Sequence, residues 1–259
     1  MHRELEWESF EIPEHIKYIV QHAFLGCKIK EIIIPNTVEY ISGNGTFAYS
    51  EIEHVEFPAG VKTDKYFSAF TECVNLKAVD IPKGVITVGG FEGSGVVSVD
   101  LPDTVQTIEQ EAFKDCANLT EIKLPKSVIT IKYAAFMNCT SLRKLGLPKG
   151  IRVISLALAE GSAIEELIIP DTVVNYLEHW SLSSMPKLKK IKFSNSVDTV
   201  PEISYCPLLE LVIFPDGIQE AEHFIMVDDY FEQIVTVQVP KDKLDFLKQQ
   251  MPFCNVIAK

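Results

Sequence analysis

Three carboxylate side chains occupy the same position of a repeated pattern, and carboxylates at this spacing could act in catalysis or in binding. Glu56, Asp80 and Asp100 each stand two residues before a proline that closes a short apolar run. Carboxyl groups on adjacent or next-adjacent strands can lie roughly 5 to 9.5 Å apart, the separation that glycosidases use. Like charges at strand spacing also repel, so a basic protein partner or a cation would relieve them. A carbohydrate-active enzyme, a binding surface and a merely solvated acidic face are all open at this point.

The remaining sequence offers no familiar catalytic pattern, since it has no G-x-S-x-G, H-E-x-x-H or G-x-x-x-x-G-K-[ST]. The glycine-rich residues 89–95 coincide with the shortest repeat, and a tight turn explains them better than a phosphate cradle. His179 and His223, with Asp228 and Asp229, have a spacing too generic to predict a metal site. We therefore predict no catalytic residue, cofactor or metal ligand.

The elements that position these residues come from an internal repeat of about 23 residues. Eleven closing residues, all proline except one serine, are spaced 20 to 25 residues apart: Pro13, Pro35, Pro58, Pro82, Pro102, Pro125, Pro148, Pro170, Ser194, Pro215 and Pro240. Units this short bury their apolar side only against their neighbours. We therefore expect one continuous solenoid over residues 1–259 instead of two domains.

A short strand is predicted before each closing residue. Positions minus 6, minus 3 and minus 1 are apolar, as in Leu119, Ile122 and Leu124, and the last few positions alternate. Such alternation indicates a strand, and proline ends it because proline has no N–H for the ladder. Successive units would then stack about eleven strands into one parallel sheet roughly 50 Å long.

The second side of each coil should be extended or a single helical turn. Residues 105–119 could pass for an amphipathic helix, but a 23-residue coil cannot hold that helix, a strand and two reversals. One phenylalanine per repeat should form an internal stack: Phe24, Phe47, Phe70, Phe91, Phe113 and Phe136. The stack should stop at Ala159, where Leu156 and Leu158 fill the space. The six cysteines contain no C-x-x-C, and most share one inward column, so we predict reduced core thiols.

The full pattern, I-x-I-P-x-x-V-x-x-I-x-x-x-A-F-x-x-C-x-x-L, resembles the BspA-type leucine-rich repeats of bacterial surface proteins. It is most complete at Ala23-Phe24-x-x-Cys27, Ala112-Phe113-x-x-Cys116 and Ala135-Phe136-x-x-Cys139. The resemblance covers essentially the whole chain and implies a leucine-rich repeat solenoid that adheres to proteins, without catalytic residues. Departures follow Gly161, where Ser181 takes the phenylalanine place and Ser194 the proline place.

Positions minus 4 and minus 2 of each predicted strand point away from the core and line up as columns across the sheet. Glu121, Lys144, Glu166 and Lys190 alternate in sign on four consecutive strands. Exposed ion pairs contribute little to stability, so this ladder should set register and solubility instead.

A second part of this surface is apolar. Ile168, Leu211 and Ile213 form a predicted exposed cluster bordered by Lys190 and Lys192. Contiguous exposed apolar groups are typical of contact surfaces. Together with the acidic column, this cluster makes the outward surface of the sheet the candidate site for binding a partner.

Both open ends of a solenoid need a cover. Residues 1–12 are predicted to be an N-terminal cap and first strand, with Trp7 as a lid. Residues 241–259 are predicted to be a C-terminal cap, in which Leu244 and Leu247 have helical spacing and Pro252 ends the helix.

Net charge and hydropathy bear on partners and location. The formal charge of −12 and the pI of about 5.0 argue against nucleic acid. The chain has neither a signal-like start nor 18 consecutive apolar residues, which predicts a cytoplasmic protein without membrane insertion. If a longer protein surrounds these residues, the alternative is a cell-surface or secreted location.

The leading hypothesis is a monomeric, non-enzymatic protein-binding or adhesion module. Acidic contacts would come from the column that includes Asp80, and apolar and basic contacts from the strands between Ile168 and Ile213. The alternatives are a carbohydrate-active enzyme that uses the carboxylates of the sheet, and a structural spacer or assembly unit.

Overall fold

The repeats of the sequence stack into a solenoid of about ten turns. A computed structural model describes residues 8–155, 157–173, 175–176, 181–197, 200, 202–219 and 234–259. Strands of two to four residues pair in parallel with the equivalent strand of the next coil, as Phe10 does with Ile32. The predicted leucine-rich repeat solenoid is therefore confirmed.

The strands that precede the closing residues, together with the last strand of the chain, form what we call the front sheet. They are β1 (Ser9–Glu11), β3 (Glu31–Ile33), β5 (His54–Val55), β8 (Ala78–Asp80), β10 (Ser98–Asp100), β14 (Glu166–Ile168), β17 (Lys190–Lys192), β19 (Leu211–Ile213), β20 (Thr236–Val239) and β21 (Asn255–Ala258). In β3, for example, Ile32 is buried and its two neighbours are exposed. The predicted outward positions minus 4 and minus 2 are thus correct.

The front sheet is not one uninterrupted ladder. Its strands form three hydrogen-bonded blocks, β1-β3-β5, β8-β10 and β14-β17-β19-β20-β21. Between the second and third blocks, residues 121–123 and 144–146 keep the repeat spacing but form no strand beyond a bridge between Lys144 and Glu166. Gly146 contributes to this break, because a glycine within a strand has no side chain to pack.

In the described residues, the rest of each coil consists of short extended segments and turns, as predicted. One set of back strands contains β2 (Tyr18–Ile19), β4 (Tyr40–Ile41) and β6 (Lys62–Thr63); a second contains β7 (Tyr66–Phe67), β9 (Thr87–Val88), β11 (Thr107–Ile108), β12 (Thr130–Ile131), β13 (Val153–Ile154) and β15 (Asn175–Tyr176); a third contains β16 (Ser181–Ser183) and β18 (Glu202–Ser204). Residues 109–119 are turns instead of a helix.

Asp64 joins the first two sets of back strands, because it lies between β6, which pairs with β4, and β7, which pairs with β9. Its Oδ1 accepts a hydrogen bond of 2.5 Å from the Tyr40 hydroxyl. Its Oδ2 accepts bonds of 3.0 Å from the Ser42 hydroxyl and from the Gly43 N–H. Burial raises the pKa of Asp64, but these three donors outweigh it and hold the pKa below its usual value. The carboxylate therefore stabilises the junction while it is ionised.

The phenylalanine stack runs through the core as predicted. Neighbouring ring centroids from Phe24 to Phe136 lie 5.1 to 5.6 Å apart. Ala159 is buried at the next place and Leu158 is buried beside it, whereas Leu156 lies outside the described residues.

The cysteine column has a structural role that sequence reasoning did not identify. The thiol of Cys73 donates to the carbonyl of Phe47 at 2.9 Å, and Cys116 donates to Phe91 at 2.9 Å. Cys139 follows the same pattern, and all six cysteines are free thiols. Burial raises the pKa of Cys116 to about 12. These thiols link successive coils and are poor nucleophiles.

The C-terminal end contains the predicted helix and one unpredicted strand. A 3-10 turn at Lys241–Lys243 leads into α1 (Leu244–Gln250), which buries Leu247. The last residues then form β21, which pairs with β20. Residues 241–259 are therefore a helix followed by a further front strand, since the alternation in β21 continues the sheet. Trp7, the predicted N-terminal lid, lies outside the described residues.

We predict that Cys116→Ala loses about 0.5 to 1.5 kcal/mol of unfolding free energy, the usual contribution of one hydrogen bond. The loss is limited because the Phe91 carbonyl also accepts from the Ser94 N–H at 2.9 Å. Cys116→Ser should lose less, because a hydroxyl keeps the donor. Urea denaturation measures both variants, and equal losses would show that the thiol donor contributes nothing.

We predict that Asp64→Asn lowers the unfolding free energy by about 1 to 3 kcal/mol at neutral pH, since it removes a charged acceptor of three hydrogen bonds. The folded-state pKa is depressed, so this stabilisation is present above about pH 4 and is lost as the pH falls through the folded value. Denaturation from pH 7 to pH 3 should show the gap to wild type closing. Tyr40→Phe, which removes one donor, should give a smaller gap with the same trend; a gap that is constant with pH would contradict this role.

Candidate binding face

The outward side chains of the front sheet form what we call the front face. Alternation along each strand sends one residue into the core and its two neighbours outward, as in β8, where Val79 is buried while Ala78 and Asp80 are exposed. Parallel pairing then brings equivalent outward residues of successive coils side by side. The face is therefore a set of columns whose members are set by the repeat period.

The predicted acidic column is present on this face. Asp80 lies directly opposite Asp100 in the β8-β10 pair, and both side chains are exposed. Glu56 follows β5, with 84% of its side chain exposed and its Oε1 3.2 Å from Nε2 of His54. The general acid of a glycosidase sits in a desolvated site. Water reaches all three carboxylates, so their setting favours a solvated binding surface.

The predicted charge ladder is partly formed. Lys190 Nζ lies 2.6 Å from Glu166 Oε1, and Lys144 is the register partner of Glu166 on its other side. A second ladder runs beside it, in which Glu165 lies 3.1 Å from Lys189 and 4.0 Å from Arg143. The hydrogen bond from Lys189 lowers the pKa of Glu165. Sequence reasoning missed this second ladder because it treated only positions minus 4 and minus 2 as outward.

The predicted apolar cluster is divided. In the register of the sheet, Lys192 lies between Ile168 and Ile213, and Lys190 lies between Glu166 and Leu211. Ile168 is 49% exposed, whereas Leu211 and Ile213 are half-buried. The prediction placed the lysines at the border, but they occupy the strand in between. The apolar surface is therefore two patches separated by lysine side chains, whose methylene stems can cover apolar neighbours.

A groove in the middle of the front face was not predicted. It has a volume of about 1120 Å³ and is lined by residues 143–147, 149, 165–166, 168–172 and 192. A smaller hollow of about 400 Å³ adjoins it and shares Arg143, Lys144 and Gly146. Gly146 occupies the minus 2 column, and a Cβ there would meet no atom within 4 Å. The missing side chain was the sequence signal for this groove, which lies where the front sheet is interrupted.

Within the described ranges, no group of three or more histidine, cysteine or carboxylate side chains could hold a metal ion. His179, His223, Asp228 and Asp229 lie outside those ranges. Among the residues that the structure describes, no helix has the length and apolar character needed to cross a bilayer.

Comparisons with known proteins agree with this geometry. The family profile described as "BspA type Leucine rich repeat region (6 copies)" matches residues 2–117 and 86–212. The crystal structure of the pneumococcal vaccine antigen PcpA is similar with a TM-score of 0.54 and 20% identity, over 97% of this chain and 79% of that one. A leucine-rich repeat protein from Bacteroides ovatus has a TM-score of 0.53 and 20% identity, over 100% of this chain and 94% of that one. A search of curated proteins found no significant match.

At 20% identity the two solved structures show a shared fold alone. The family profile, in contrast, spans well over half of the chain and covers the coils that carry the phenylalanine stack and the cysteine column. The chain therefore belongs to the family of BspA type leucine-rich repeat regions.

Proposed function

We propose that this repeat scaffold binds a protein partner through its front face. The observation that carries the proposal is the register of the front sheet, which holds rows of outward side chains in place before any partner arrives. A surface ordered by the fold itself loses little conformational entropy on binding. Membership of the BspA type leucine-rich repeat family is consistent with protein binding or adhesion.

The chemistry of the face supports two kinds of contact. The half that contains Asp80 and Asp100 offers exposed carboxylates to a basic surface. The half that contains Ile168, Leu211 and Ile213 offers apolar patches separated by lysines. Charged contacts raise the association rate and select partners, whereas apolar contacts contribute more of the affinity.

We further propose that the protein acts at the cell surface or after secretion. BspA type leucine-rich repeat proteins are typically surface or secreted proteins, which favours the alternative location over the cytoplasmic one. Reduced thiols do not oppose this proposal, because the buried cysteines serve as hydrogen-bond donors in the core.

Catalysis by the acidic column is the competing function. Asp80 and Asp100 are neighbours, as a glycosidase pair requires, but both are exposed on an open sheet. An open surface does not exclude water from a reacting sugar. The face is therefore better suited to binding, and a screen for hydrolysis of glycans, with Asp80→Asn as the inactive control, tests the choice. Turnover that Asp80→Asn abolishes would replace the binding proposal.

We predict that at least one of two double variants weakens the binding of a protein partner, which is first captured by cross-linking to the wild-type protein and identified by mass spectrometry. Asp80→Lys/Asp100→Lys reverses the acidic charges, and Leu211→Asp/Ile213→Asp places charges in an apolar patch. At least one should raise the Kd by about tenfold or more in surface plasmon resonance, since a few central residues dominate interfaces. Each should leave the Tm close to that of wild type when binding is compared.

The matched control changes the same charge outside the front face. Glu14→Lys/Asp103→Lys alters two exposed turn residues and should leave the Kd unchanged. Normal binding by both front-face variants, or an equal loss in the control, would show that the front face does not carry the interaction.

We predict that the chain is monomeric at micromolar concentration. Sedimentation velocity should give one species near 29.1 kDa. A spacer or assembly unit would instead associate end to end, through β1 or β21, which are the edge strands of the front sheet among the described residues. Concentration-dependent growth of the sedimenting species would favour that alternative.

A further inference from the structure

We propose that the groove at Gly146 binds an extended peptide that alternates acidic and apolar side chains. This inference deepens the proposed protein-binding function and rests on it. We call the site the Gly146 groove, defined as the larger groove together with the adjoining hollow.

The shape of the groove comes from one missing side chain. In the minus 2 column Gly146 stands between Lys123 of the preceding coil and Ile168 of the following coil. A Cβ at Gly146 would meet no atom within 4 Å, so the space above this residue on the outer side of the sheet is open. The volume of about 1120 Å³ exceeds that of a typical pocket for a small ligand. The groove is therefore large enough for several residues of a peptide.

The charge around the groove opposes that of the chain as a whole. The net charge of the protein is −12, yet residues 122–159 contain seven lysines and arginines and no aspartate or glutamate. Five basic residues from three coils line the groove: Lys123, Arg143, Lys144, Lys149 and Lys192. An acidic ligand is therefore attracted to this place more than to any acidic part of the front face.

Four carboxylates also line the groove, Glu121, Glu165, Glu166 and Asp171, and two of them are paired with lysines that lie outside it. Glu165 lies 3.1 Å from Lys189, and Glu166 lies 2.6 Å from Lys190. Neither lysine lines the groove itself. The five cations of the groove and these two lysines stand against four carboxylates, so positive charge is in excess at the groove.

The floor of the groove is suited to a peptide instead of a free anion. Leu145 and Leu147 lie beneath it, and Ile168 and Pro170 form its apolar wall. An extended peptide places successive side chains on opposite sides, so acidic and apolar residues can alternate between lysines and the apolar wall.

The backbone of the floor supports the same occupant. The structure describes residues 121–124 and 144–147 in full, and no backbone hydrogen bond joins these two segments. Peptide groups without a sheet partner can bond to the main chain of an extended ligand, as in other modes of peptide recognition. Nucleic acid fits poorly, because the net charge of −12 repels a long polyanion.

The test uses a fluorescein-labelled ten-residue peptide of alternating glutamate and valine, measured by fluorescence anisotropy at low salt. A peptide with lysine in place of glutamate is the charge control, and a heparin-derived oligosaccharide tests for a polyanion site. The Kd of the glutamate peptide should be lower than that of the lysine peptide by about tenfold or more. Added salt should weaken the binding of the glutamate peptide.

Two variants should abolish this preference. Gly146→Leu fills the groove without a steric conflict at Cβ, and Lys123→Glu/Lys144→Glu reverses its charge. Each variant should raise the Kd for the glutamate peptide by about tenfold or more, while its Tm stays unchanged. Gly150→Leu is the matched glycine control, because its Cβ would lie 3.6 Å from the Lys126 carbonyl and outside the groove. Lys126→Glu/Arg152→Glu is the matched charge control on the same two coils, and both controls should bind as wild type does.

Three outcomes would overturn the inference: equal binding of the two peptides, normal binding by Gly146→Leu, or binding of the oligosaccharide without the glutamate peptide. These outcomes are separable from failure of the proposed function. If the captured protein partner still depends on Asp80 and Asp100 or on Leu211 and Ile213, the front face binds proteins and only the Gly146 groove has been misassigned.

Discussion

Parallel pairing between equivalent positions of successive coils is the constraint on which the rest of this structure depends. Each strand is too short to be stable alone, so its backbone groups and its apolar side must be satisfied by the next coil. Pairing of Phe10 with Ile32, and of Val79 with Val99, places residues from equivalent positions of the repeat next to one another along the solenoid. A property that occurs once per repeat therefore becomes a continuous row in space, whether it is a ring in the core or a charge on the surface.

The core repeats this logic with two kinds of row. The phenylalanine rings from Phe24 to Phe136 stack at 5.1 to 5.6 Å and fill the centres of the six coils that carry them. The thiols of Cys73, Cys116 and Cys139 each donate to the carbonyl of the stacked phenylalanine one coil earlier, as Cys116 does to Phe91. Packing alone tolerates many apolar residues, whereas a donor directed at one carbonyl requires a thiol or hydroxyl. Together these rows fix successive coils against one another and so set the positions of the side chains on the front face.

Places where the repeat departs from its pattern carry the distinctive features of this chain. Asp64 lies where one coil contributes strands to two sheets, and three donors hold its carboxylate there. Gly146 interrupts an outward column and creates a groove in a basic part of an otherwise acidic protein. Departures from local rules are expected at functional or strained places. In this chain the regular rows form the scaffold, and the irregular positions form the features that distinguish one coil from another.

The sequence by itself determined the repeat length, the strand positions, the outward columns and the phenylalanine stack, because one period repeated many times restricts the chain to a single register. That period also placed Asp80 beside Asp100. Only the tertiary structure decided the division of the front sheet into three blocks, the additional strand β21, the second charge ladder through Glu165, and the separation of Ile168 from Ile213 by lysine. These features depend on contacts between side chains and peptide groups of different coils. A one-dimensional pattern states which residues are neighbours, but their distances and the space between them arise only when the coils pack.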